Sequence, residues 1–377
     1  MYQRLISPNI LEKIRKRGEV VLLYGARQTG KSTLLEMLTK LNPGMKIFNC
    51  ENPVVADVLS ERNLIKIRGM FDDHQIIALD EAQVIPEIGS ILKLIYDDKE
   101  TNVQLLVTGS SSFELSNSAG EPLTGRNITF RLYPLSLSEI KKEKGWLETI
   151  EMLDKLLIYG SYPGVLDLPD NEKRQKLLSL GSDYLFKDIF KFESLKNPSL
   201  LRKLLKALAI QTGNLVSVNE LAQITGVSTI TVERYLDLLE KTFVIFSLGS
   251  FSSNLRNELK KSKKYYFHDN GIRNAVLNNF SNPDQRNDIG ALWENYCISE
   301  RVKTLEYSRE NPNLYFWRTY DGAEIDLLEE KDGAFTAWEF KWSKRKKAKL
   351  PNGFSENYKV KDFRLVNPGN IDLLADP

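Results

Sequence analysis

Four residues near the start of the chain have the types and spacing of a phosphate-binding loop. The pattern G-x-x-x-x-G-K-[ST] is matched by Gly25, Gly30, Lys31 and Ser32. Glycines let backbone N–H groups surround a phosphate, and the start of the following helix adds partial positive charge. Lys31 is expected to reach the β- and γ-phosphates and Ser32 to ligate Mg²⁺. The full set of predicted phosphate-contacting residues is Gly25, Ala26, Arg27, Gln28, Thr29, Gly30, Lys31, Ser32 and Thr33.

Two adjacent carboxylates, Asp80 and Glu81, end an apolar run at residues 76–79. In a parallel sheet, a carboxylate at such a strand end faces the same crevice as the phosphate loop. We expect Asp80 to hold Mg²⁺ through water and Glu81 to polarise the attacking water, as a general base or by orienting it. The acid pair favours hydrolysis over phosphate transfer to a small acceptor.

Two further features follow along the chain. The stretch "VQLLVTGSSS" predicts a buried strand that ends in hydroxyl groups at Thr108, Ser110 and Ser111, although a serine-rich turn has the same composition. Arg126 follows a glycine in "LTGRN". An arginine there could stabilise charge on a transferring phosphoryl group, in cis or from a neighbouring subunit, or it could be an exposed, solvated side chain.

Residues 1–140 resemble a family of bacterial and archaeal AAA-type ATPases. The resemblance is carried, in order, by "GARQTGKS", "IIALDEAQ", "LVTGSSS" and "LTGR…LYPLSLSE". It implies ATP rather than GTP as the nucleotide, and it implies a sensor role for Ser110 at the γ-phosphate. It also implies a helical lid, to which Tyr159–Pro163 would belong, a winged-helix-like region and a restriction-endonuclease-like C-terminal region.

Carboxylates and a lysine recur near the end of the chain, in the order helix, strand, strand. Glu294 lies on an amphipathic helical pattern, Asp326 on the strand-like run "AEIDLLEE", and Glu339 and Lys341 on "TAWEFKWS". This order resembles the core of PD-(D/E)XK nucleases. The resemblance implies that Asp326 and Glu339 ligate Mg²⁺ or Mn²⁺, and that Lys341 orients water or neutralises developing charge. Glu294 could complete the metal shell or help to place the water.

A plainer interpretation of these residues is also open. Acids and lysines alternate on many half-exposed strands, and a complete motif is necessary for cleavage without being sufficient. The basic run "KWSKRKKAK" at 341–349 lies beside the candidate residues and could hold a phosphate backbone. The C-terminal region is therefore expected either to cut nucleic acid or only to bind it.

The middle of the chain is predicted to be helical and then to form a helix–turn–helix. Ser217 and Glu220 have the spacing of a capping box, Gly226 marks a turn, and Ser228 caps a second helix. A hairpin after this helix predicts a winged helix. The lysines of this hairpin suit phosphate contacts, and they are Lys260, Lys261, Lys263 and Lys264. The recognition helix itself is not basic. Packing between domains is the alternative role.

Together these elements predict an α/β chain with four regions. They are a P-loop AAA-type domain with a parallel sheet (1–140), a helical lid with linker helices (141–200), a winged-helix-like domain (201–280) and a restriction-endonuclease-like, nuclease-like α/β domain (285–377).

Composition narrows the setting. The chain has 377 residues, 42% of them hydrophobic and 27% charged, as is usual for folded proteins, and its net charge is +2. Cys50 and Cys297 are far apart and only two histidines occur, which argues against a disulfide framework and a Cys/His zinc site. No membrane span or signal peptide is evident, so a cytoplasmic location is expected.

These observations lead to one main hypothesis and two alternatives. The main hypothesis is a Mg²⁺-dependent ATP hydrolase that acts on DNA, with RNA also open, and whose nucleotide state controls a nuclease-like domain. The first alternative is an ATP-dependent switch or scaffold whose C-terminal domain binds without cutting. The second is a P-loop kinase. Oligomerisation is left open.

Overall fold

The computed structural model describes residues 2–16, 18–110, 123–181, 197–252 and 263–375. The described chain divides into two compact units. The first contains the residues up to Pro134 together with Lys241–Phe243, and the second contains the remainder. The predictions for Ser111, Lys260 and Lys261 fall outside the described residues, as does the part of the predicted helical region at 182–196.

The first unit is built around one parallel sheet. Its elements, in chain order, are α1 (Ser7–Lys16), β1 (Val20–Tyr24), α2 (Lys31–Leu41), β2 (Met45–Asn49), α3 (Pro53–Ser60), α4 (Leu64–Phe71), β3 (Ile76–Asp80), α5 (Ile88–Asp97), β4 (Gln104–Gly109) and β5 (Asn127–Arg131). The strand order is β2-β3-β4-β1-β5, and every neighbouring pair is parallel.

The central strands of this sheet are mostly apolar and buried, because both of their faces are covered. All residues of β1 are buried, as are all residues of β4. Uninterrupted apolar runs of this kind are typical of parallel strands packed on both sides. Since β3, β4 and β1 are neighbours and run in the same direction, their carboxyl ends meet at one edge of the sheet. The predicted strands of the first region are confirmed.

The second unit begins with short helices. They are α6 (Leu137–Lys144), α7 (Trp146–Glu151), α8 (Leu153–Tyr159), α9 (Pro163–Leu166), α10 (Asp170–Ser179) and α11 (Pro198–Ile210). The first of them has a complete capping box, since the Ser136 hydroxyl accepts from the Glu139 N–H and the Glu139 carboxylate accepts from the Ser136 N–H.

The helix–turn–helix pattern is present as predicted. It comprises β6 (Leu215–Val216), α12 (Val218–Thr225) and α13 (Thr229–Lys241). Gly226 ends α12 in the left-handed conformation, with φ of 75°. Ser217 caps α12 by accepting from the Glu220 N–H at 3.4 Å. The Glu220 carboxylate accepts instead from the Gln211 amide at 3.1 Å.

A seven-stranded sheet continues from the middle of the chain to its last region. The remaining elements are β7 (Ile245–Ser250), β8 (Lys263–Phe267), α14 (Asn270–Leu277), α15 (Ile289–Ser308), β9 (Asn313–Arg318), β10 (Glu324–Lys331), β11 (Ala334–Phe340), α16 (Asn352–Ser355) and β12 (Val360–Val366). The strand order is β12-β11-β10-β9-β7-β8-β6.

The join in this sheet is the parallel pair β7–β9, whereas β7 and β8 form the predicted antiparallel hairpin. Strands predicted for separate domains, 201–280 and 285–377, therefore belong to one sheet. The last region has a core that is rich in tryptophan. Trp293 and Trp338 are fully buried, and Trp317 packs against the core of β10 and β11.

The segment Tyr159–Pro163 is fixed within the second unit. The Ser161 N–H donates to the Asp269 carboxylate at 2.7 Å, and the Asn274 amide donates to the Ile158 carbonyl at 2.8 Å. At Gly160, where φ is 68°, a Cβ would lie 2.1 Å from an Asp269 oxygen. A lid role for this segment stays a prediction. Over the described ranges, no helix has the length and apolar character needed to span a membrane.

Candidate functional site

The loop between β1 and α2 has the geometry that its sequence predicts. Gly30, with φ of 95°, precedes α2, whose start has no side-chain cap. A Cβ on Gly25 would lie 2.2 Å from the Leu132 carbonyl oxygen, so only glycine fits beside the end of β5. The uncapped N–H groups at the start of α2 are thus available to an anion.

Lys31 is turned back onto this loop. Its ammonium donates to the Gly25 carbonyl at 2.8 Å and to the Ala26 carbonyl at 3.2 Å. The residue is only 4% exposed. An ammonium held under the loop, at the start of α2, is placed for a phosphate that the loop surrounds.

Arg4, which no sequence motif identifies, supports the same loop through hydrogen bonds to its backbone and to the chain after β5. Its guanidinium donates to the Thr29 carbonyl at 2.7 Å and to the Tyr133 carbonyl at 2.6 Å. Arg4 is 4% exposed, and hydrogen bonds from a buried charged donor are among the stronger ones in proteins. It ties the phosphate loop to the chain that leaves β5, and it acts as a positioning residue.

The predicted acid pair lies in a hydrogen-bonded network at the ends of β3 and β4. The Thr108 hydroxyl donates to Asp80 and accepts from the Glu81 N–H at 3.2 Å. The Gln83 amide donates to Glu81, and its carbonyl accepts from the Ser110 N–H at 3.2 Å. Asp80, Glu81 and Ser110 are thus brought together as predicted, with Thr108 and Gln83 as the links.

Cys50 lies beside this network without taking part in its chemistry. Its N–H donates to the Asp80 carbonyl at 2.9 Å. Burial, reinforced by the charges of Asp80 and Glu81, raises the pKa of the Cys50 thiol to about 12. A thiol that stays protonated at neutral pH is a poor nucleophile, so hydrolysis through this cysteine is not expected.

Arg126 does not join the site, and its predicted cis role is wrong. The register pairs Val20 with Asn127 and Tyr24 with Arg131, so Arg126 lies at the amino edge of the sheet, whereas the phosphate loop leaves the carboxyl edge. Its guanidinium donates to Asp97 at 3.1 Å. A role toward a neighbouring subunit stays a prediction.

The residues of the first unit fit a Mg²⁺-bound nucleoside triphosphate. The loop offers backbone donors and a buried ammonium, and Ser32 is exposed on the first turn of α2. Asp80 lies at the neighbouring strand end with its carboxylate oriented by Thr108. Ser32 and Asp80 would hold Mg²⁺, which would neutralise charge on the phosphate oxygens.

The C-terminal candidates lie on β10 and β11, which pair antiparallel as predicted. One residue beyond the Leu327–Trp338 pair, the Asp326 carboxylate accepts from the Phe340 N–H at 2.8 Å. The Lys341 ammonium lies 3.7 Å from Asp326 and also contacts Glu339. The structure thus brings Asp326, Glu339 and Lys341 together.

A second lysine occupies the other half of this cluster. Lys264, on β8, is 1% exposed, and its ammonium lies 3.4 Å from a Glu294 oxygen while contacting Glu324. The Tyr266 hydroxyl donates to the same Glu294 oxygen at 2.7 Å. The predicted phosphate contact of Lys264 is therefore wrong, because a buried ammonium held by two carboxylates cannot reach a polynucleotide.

Burial and mutual repulsion raise the pKa values of the carboxyl groups in this cluster. Burial, with a further contribution from Asp326, raises the pKa of Glu294 to about 7. Burial also raises the pKa of Asp326, and burial with the Asp326 charge raises the pKa of Glu339. Burial alone would lower the pKa of Lys264, but Glu294 and Glu324 outweigh it and raise that pKa.

The predicted metal shell is not formed by this arrangement. Glu294 contacts Lys264, whereas Asp326 and Glu339 contact Lys341, so each predicted ligand already faces an ammonium. Within the described ranges, no group of three or more histidine, cysteine, aspartate or glutamate side chains is placed to hold a metal ion. The donor set therefore does not fit Mg²⁺ or Mn²⁺ as arranged.

Several residues of the two sites escaped the sequence analysis, with different signals. Glu324 lies two residues before Asp326, and Lys264 lies two residues before Tyr266. Residues two apart in a strand share a face, so this spacing could have identified Glu324 from Asp326. Gln83 follows the acid pair within the same turn. No local signal distinguishes Arg4, whose partners lie far along the chain.

Comparisons with known proteins give three separate matches along the chain. Residues 17–141 match a family described as an AAA domain. Residues 150–283 and 289–374 match two families described as domains of unknown function, DUF8612 and DUF4143. Relatives are similar over most of the chain. The uncharacterized protein Rv2008c of Mycobacterium tuberculosis is 29% identical over 334 residues, covering 88% of this chain and 72% of that protein.

An uncharacterized protein of Haemophilus influenzae is 25% identical over 340 residues, covering 83% of this chain and 80% of its own length. Among solved structures, AMPPCP-bound DnaA from Aquifex aeolicus has a TM-score of 0.29 and 16% identity, covering 63% of this chain and 86% of that chain. Pif1 helicase from Candida albicans has a TM-score of 0.28 and 15% identity, with 48% of each chain covered. Similarities at this level carry no functional argument. The AAA match and the parallel sheet support an AAA-type nucleotide-binding domain at residues 17–141.

Proposed function

We propose that the first unit binds and hydrolyses ATP in the presence of Mg²⁺. The observation that carries the proposal is the network that joins Asp80, Glu81 and Ser110, at the strand ends adjoining the loop that holds Lys31. A binding site needs only the loop and its lysine. A carboxylate fixed beside that loop supplies the further group that hydrolysis requires, because water must be oriented and must lose a proton.

Each residue has a distinct part in this proposal. Lys31 neutralises charge on the β- and γ-phosphates, and Asp80 with Ser32 holds the metal ion. Glu81 accepts a hydrogen bond from the water that attacks the terminal phosphate and takes its proton. Thr108 and Gln83 fix the two carboxylates, so that neither has to reorganise when the water is activated.

Replacing Glu81 with glutamine tests this assignment. The amide keeps the size and hydrogen-bonding capacity of the side chain but cannot take a proton. Turnover of ATP should fall by at least about 100-fold, the range typical of general-base removal, while ATP affinity changes by less than about threefold. Phosphate release and the binding of a fluorescent ATP analogue would be measured on the same preparations.

Glu87→Gln is the matched control. Glu87 lies six positions after Glu81 in the chain. Its exposed side chain pairs with Arg62, and exposed ion pairs contribute little to stability. Its turnover should equal that of the unsubstituted protein. Unchanged turnover in Glu81→Gln would remove Glu81 from the mechanism, and lost binding would mean that the residue holds nucleotide instead.

We further propose that the second unit binds nucleic acid and that the nucleotide bound to the first unit regulates this binding. The supporting observation is a run of exposed basic residues after β11, Lys344, Arg345, Lys346, Lys347 and Lys349. Because the carboxylates of the neighbouring cluster face lysines, the proposal is binding without cleavage, although the resemblance to nucleases implies cutting. The stretch would then contact phosphates by charge, without sequence specificity.

Changing Lys344, Arg345, Lys346 and Lys347 together to alanine should weaken DNA binding by at least about 10-fold at low salt. The dependence of affinity on salt should become shallower, because fewer counterions are released. A control with the same loss of charge replaces four exposed lysines of the first unit, Lys16, Lys40, Lys46 and Lys66. Fluorescence anisotropy with labelled duplex and single-stranded DNA would measure both. Equal affinities for the two variants would contradict this interface.

A further inference from the structure

The cluster of carboxylates in the C-terminal region surrounds a positive charge that the chain itself supplies, the Lys264 ammonium. Lys264 reaches them from β8, which belongs to the hairpin of the middle region, while Glu294 comes from α15 and Glu324 from β10. We propose that Lys264 is the resident cation of this cluster and that it withholds the carboxylates from divalent metal ions. Its removal would convert the cluster into a Mn²⁺ or Mg²⁺ site.

The packing of Lys264 shows that its position is built into the fold. The residue is 1% exposed, and its ammonium lies 5.3 Å from the centroid of the Phe316 ring. β8 pairs with β7 on one side and with β6 on the other, so its backbone is held on both sides. A buried ammonium is strongly unfavourable unless carboxylates compensate it. Here Glu294 and Glu324 both do.

The ammonium and a divalent ion would compete for the same oxygens. Mg²⁺ needs oxygen ligands at about 2.0–2.1 Å, and Mn²⁺ prefers the same carboxylate and water oxygens. The Glu294 oxygen that faces Lys264 also accepts from Tyr266, so it is already committed to two donors. A doubly charged ion on that oxygen would lie within a few ångströms of a buried positive charge, and the low dielectric around it would make the repulsion strong.

Lys341 differs from Lys264 in a way that identifies which lysine controls the site. Its side chain is 30% exposed and lies after the end of β11, so it can turn toward solvent when an ion binds. Lys264 has no such route without a shift of β8. The proposal therefore couples metal access at the last region to the position of the hairpin, and it does not depend on ATP hydrolysis.

Mn²⁺ binding to the full chain tests the proposal directly. Free Mn²⁺ would be counted by electron paramagnetic resonance in nucleotide-free protein, with Asp80→Asn in every sample to remove the first unit's metal site. Lys264→Met should bind Mn²⁺ at least about 10-fold more tightly than the chain that keeps Lys264, because a buried positive charge no longer repels the ion. Lys264→Arg, which retains a cation, should show no gain, and Lys264→Met with Glu294→Gln should lose the gain.

Thermal unfolding followed by tryptophan fluorescence gives a second readout, because all five tryptophans lie in the second unit. Mn²⁺ should raise the Tm of Lys264→Met but not that of Lys264→Arg. If the single variant does not fold, Lys264→Met with Glu324→Gln removes the cation together with one of its charges, and the same gain is expected. Equal Mn²⁺ affinity with and without Lys264 would overturn the proposal. So would tight binding that Glu294→Gln abolishes while Lys264 is present.

Discussion

Lys31→Ala should abolish ATP turnover and weaken nucleotide binding. In the structure Lys31 is almost fully buried, and its ammonium donates to the Gly25 and Ala26 carbonyls of the loop. A phosphate bound between the loop and the start of α2 would be stabilised by this charge. Losing such a preorganised charge costs at least about 100-fold in rate, and the affinity for ATP should fall by at least about 10-fold.

Phosphate release and calorimetric titration with ATP would measure the two effects of Lys31→Ala. Lys40→Ala is the control, since Lys40 is an exposed lysine in the last turn of the same helix. Because no tryptophan lies in the first unit, tryptophan fluorescence should be the same in both variants. Turnover that survives in Lys31→Ala would show that the phosphates are not held at this loop.

Asp288→Ala should destabilise the second unit by about 3 kcal/mol, the usual cost of removing one partner of a buried ion pair. Its carboxylate accepts from Arg273 at 2.9 Å and from Arg286 at 2.9 Å. The two guanidinium side chains are 1% and 0% exposed. Without the Asp288 carboxylate they would remain buried and would lose the negative charge that each of them pairs with among the described residues. Urea unfolding followed by tryptophan fluorescence would report on this unit alone.

The same carboxylate gives the unit an acid-sensitive stability. Partial burial would raise the pKa of Asp288, but hydrogen bonds from Arg286 and the charge of Arg273 outweigh it and lower the pKa to about 2. A lowered pKa means that the stabilisation is complete above the unfolded value of 3.8 and is lost as the pH falls toward 2. After allowance for partial exposure it amounts to about 1 kcal/mol.

Asp288→Ala should therefore unfold with a shallower pH dependence than the unsubstituted protein between pH 2 and 4, the window set by the pKa values of 3.8 and about 2. Asp284→Ala, at an exposed position of the same loop, is the control and should change neither the urea midpoint nor the acid transition. If Asp288→Ala and Asp284→Ala unfold at the same urea concentration, the ion cluster does not hold α15 in place.

The first unit could be predicted from sequence because its signals are local. A buried strand followed at once by a glycine loop and a helix determines the position of Lys31, and an apolar run ending in Asp80 and Glu81 determines theirs. The parallel order then brings the strand ends together. The partners that orient these groups were not predictable in the same way. Arg4 contacts Tyr133, which is 129 positions away.

The error at Arg126 has a simple geometric cause. Arg126 precedes β5, whereas the phosphate loop follows β1, and the two strands are parallel. A residue before one strand and a residue after its parallel neighbour lie at opposite edges of the sheet. The motif "LTGR" gives the residue type without the direction of the strand. Once the pairing is known, Arg131 rather than Arg126 is level with Tyr24 at the end of β1.

At the C-terminal cluster the sequence predicted Glu294, Asp326, Glu339 and Lys341 but not the second cation, Lys264. The pairing of β10 with β11 brings Asp326 and Glu339 near each other, as their spacing suggested. The contribution of Lys264 depends on the parallel pair β7–β9, which joins the hairpin to the last region. A long-range strand pair of this kind leaves no trace in local periodicity, so a lysine predicted to contact phosphate instead lies buried against Glu294.

Phosphate release by the unsubstituted chain with Mg²⁺ and ATP tests the central claim most directly. We expect repeated turnover of ATP that stops when EDTA removes the metal ion, with inorganic phosphate as the product and no phosphorylated acceptor. Tight ATP binding with no phosphate release above the rate without protein would contradict it. That result would leave the network of Asp80, Glu81 and Ser110 as the framework of a nucleotide-dependent switch.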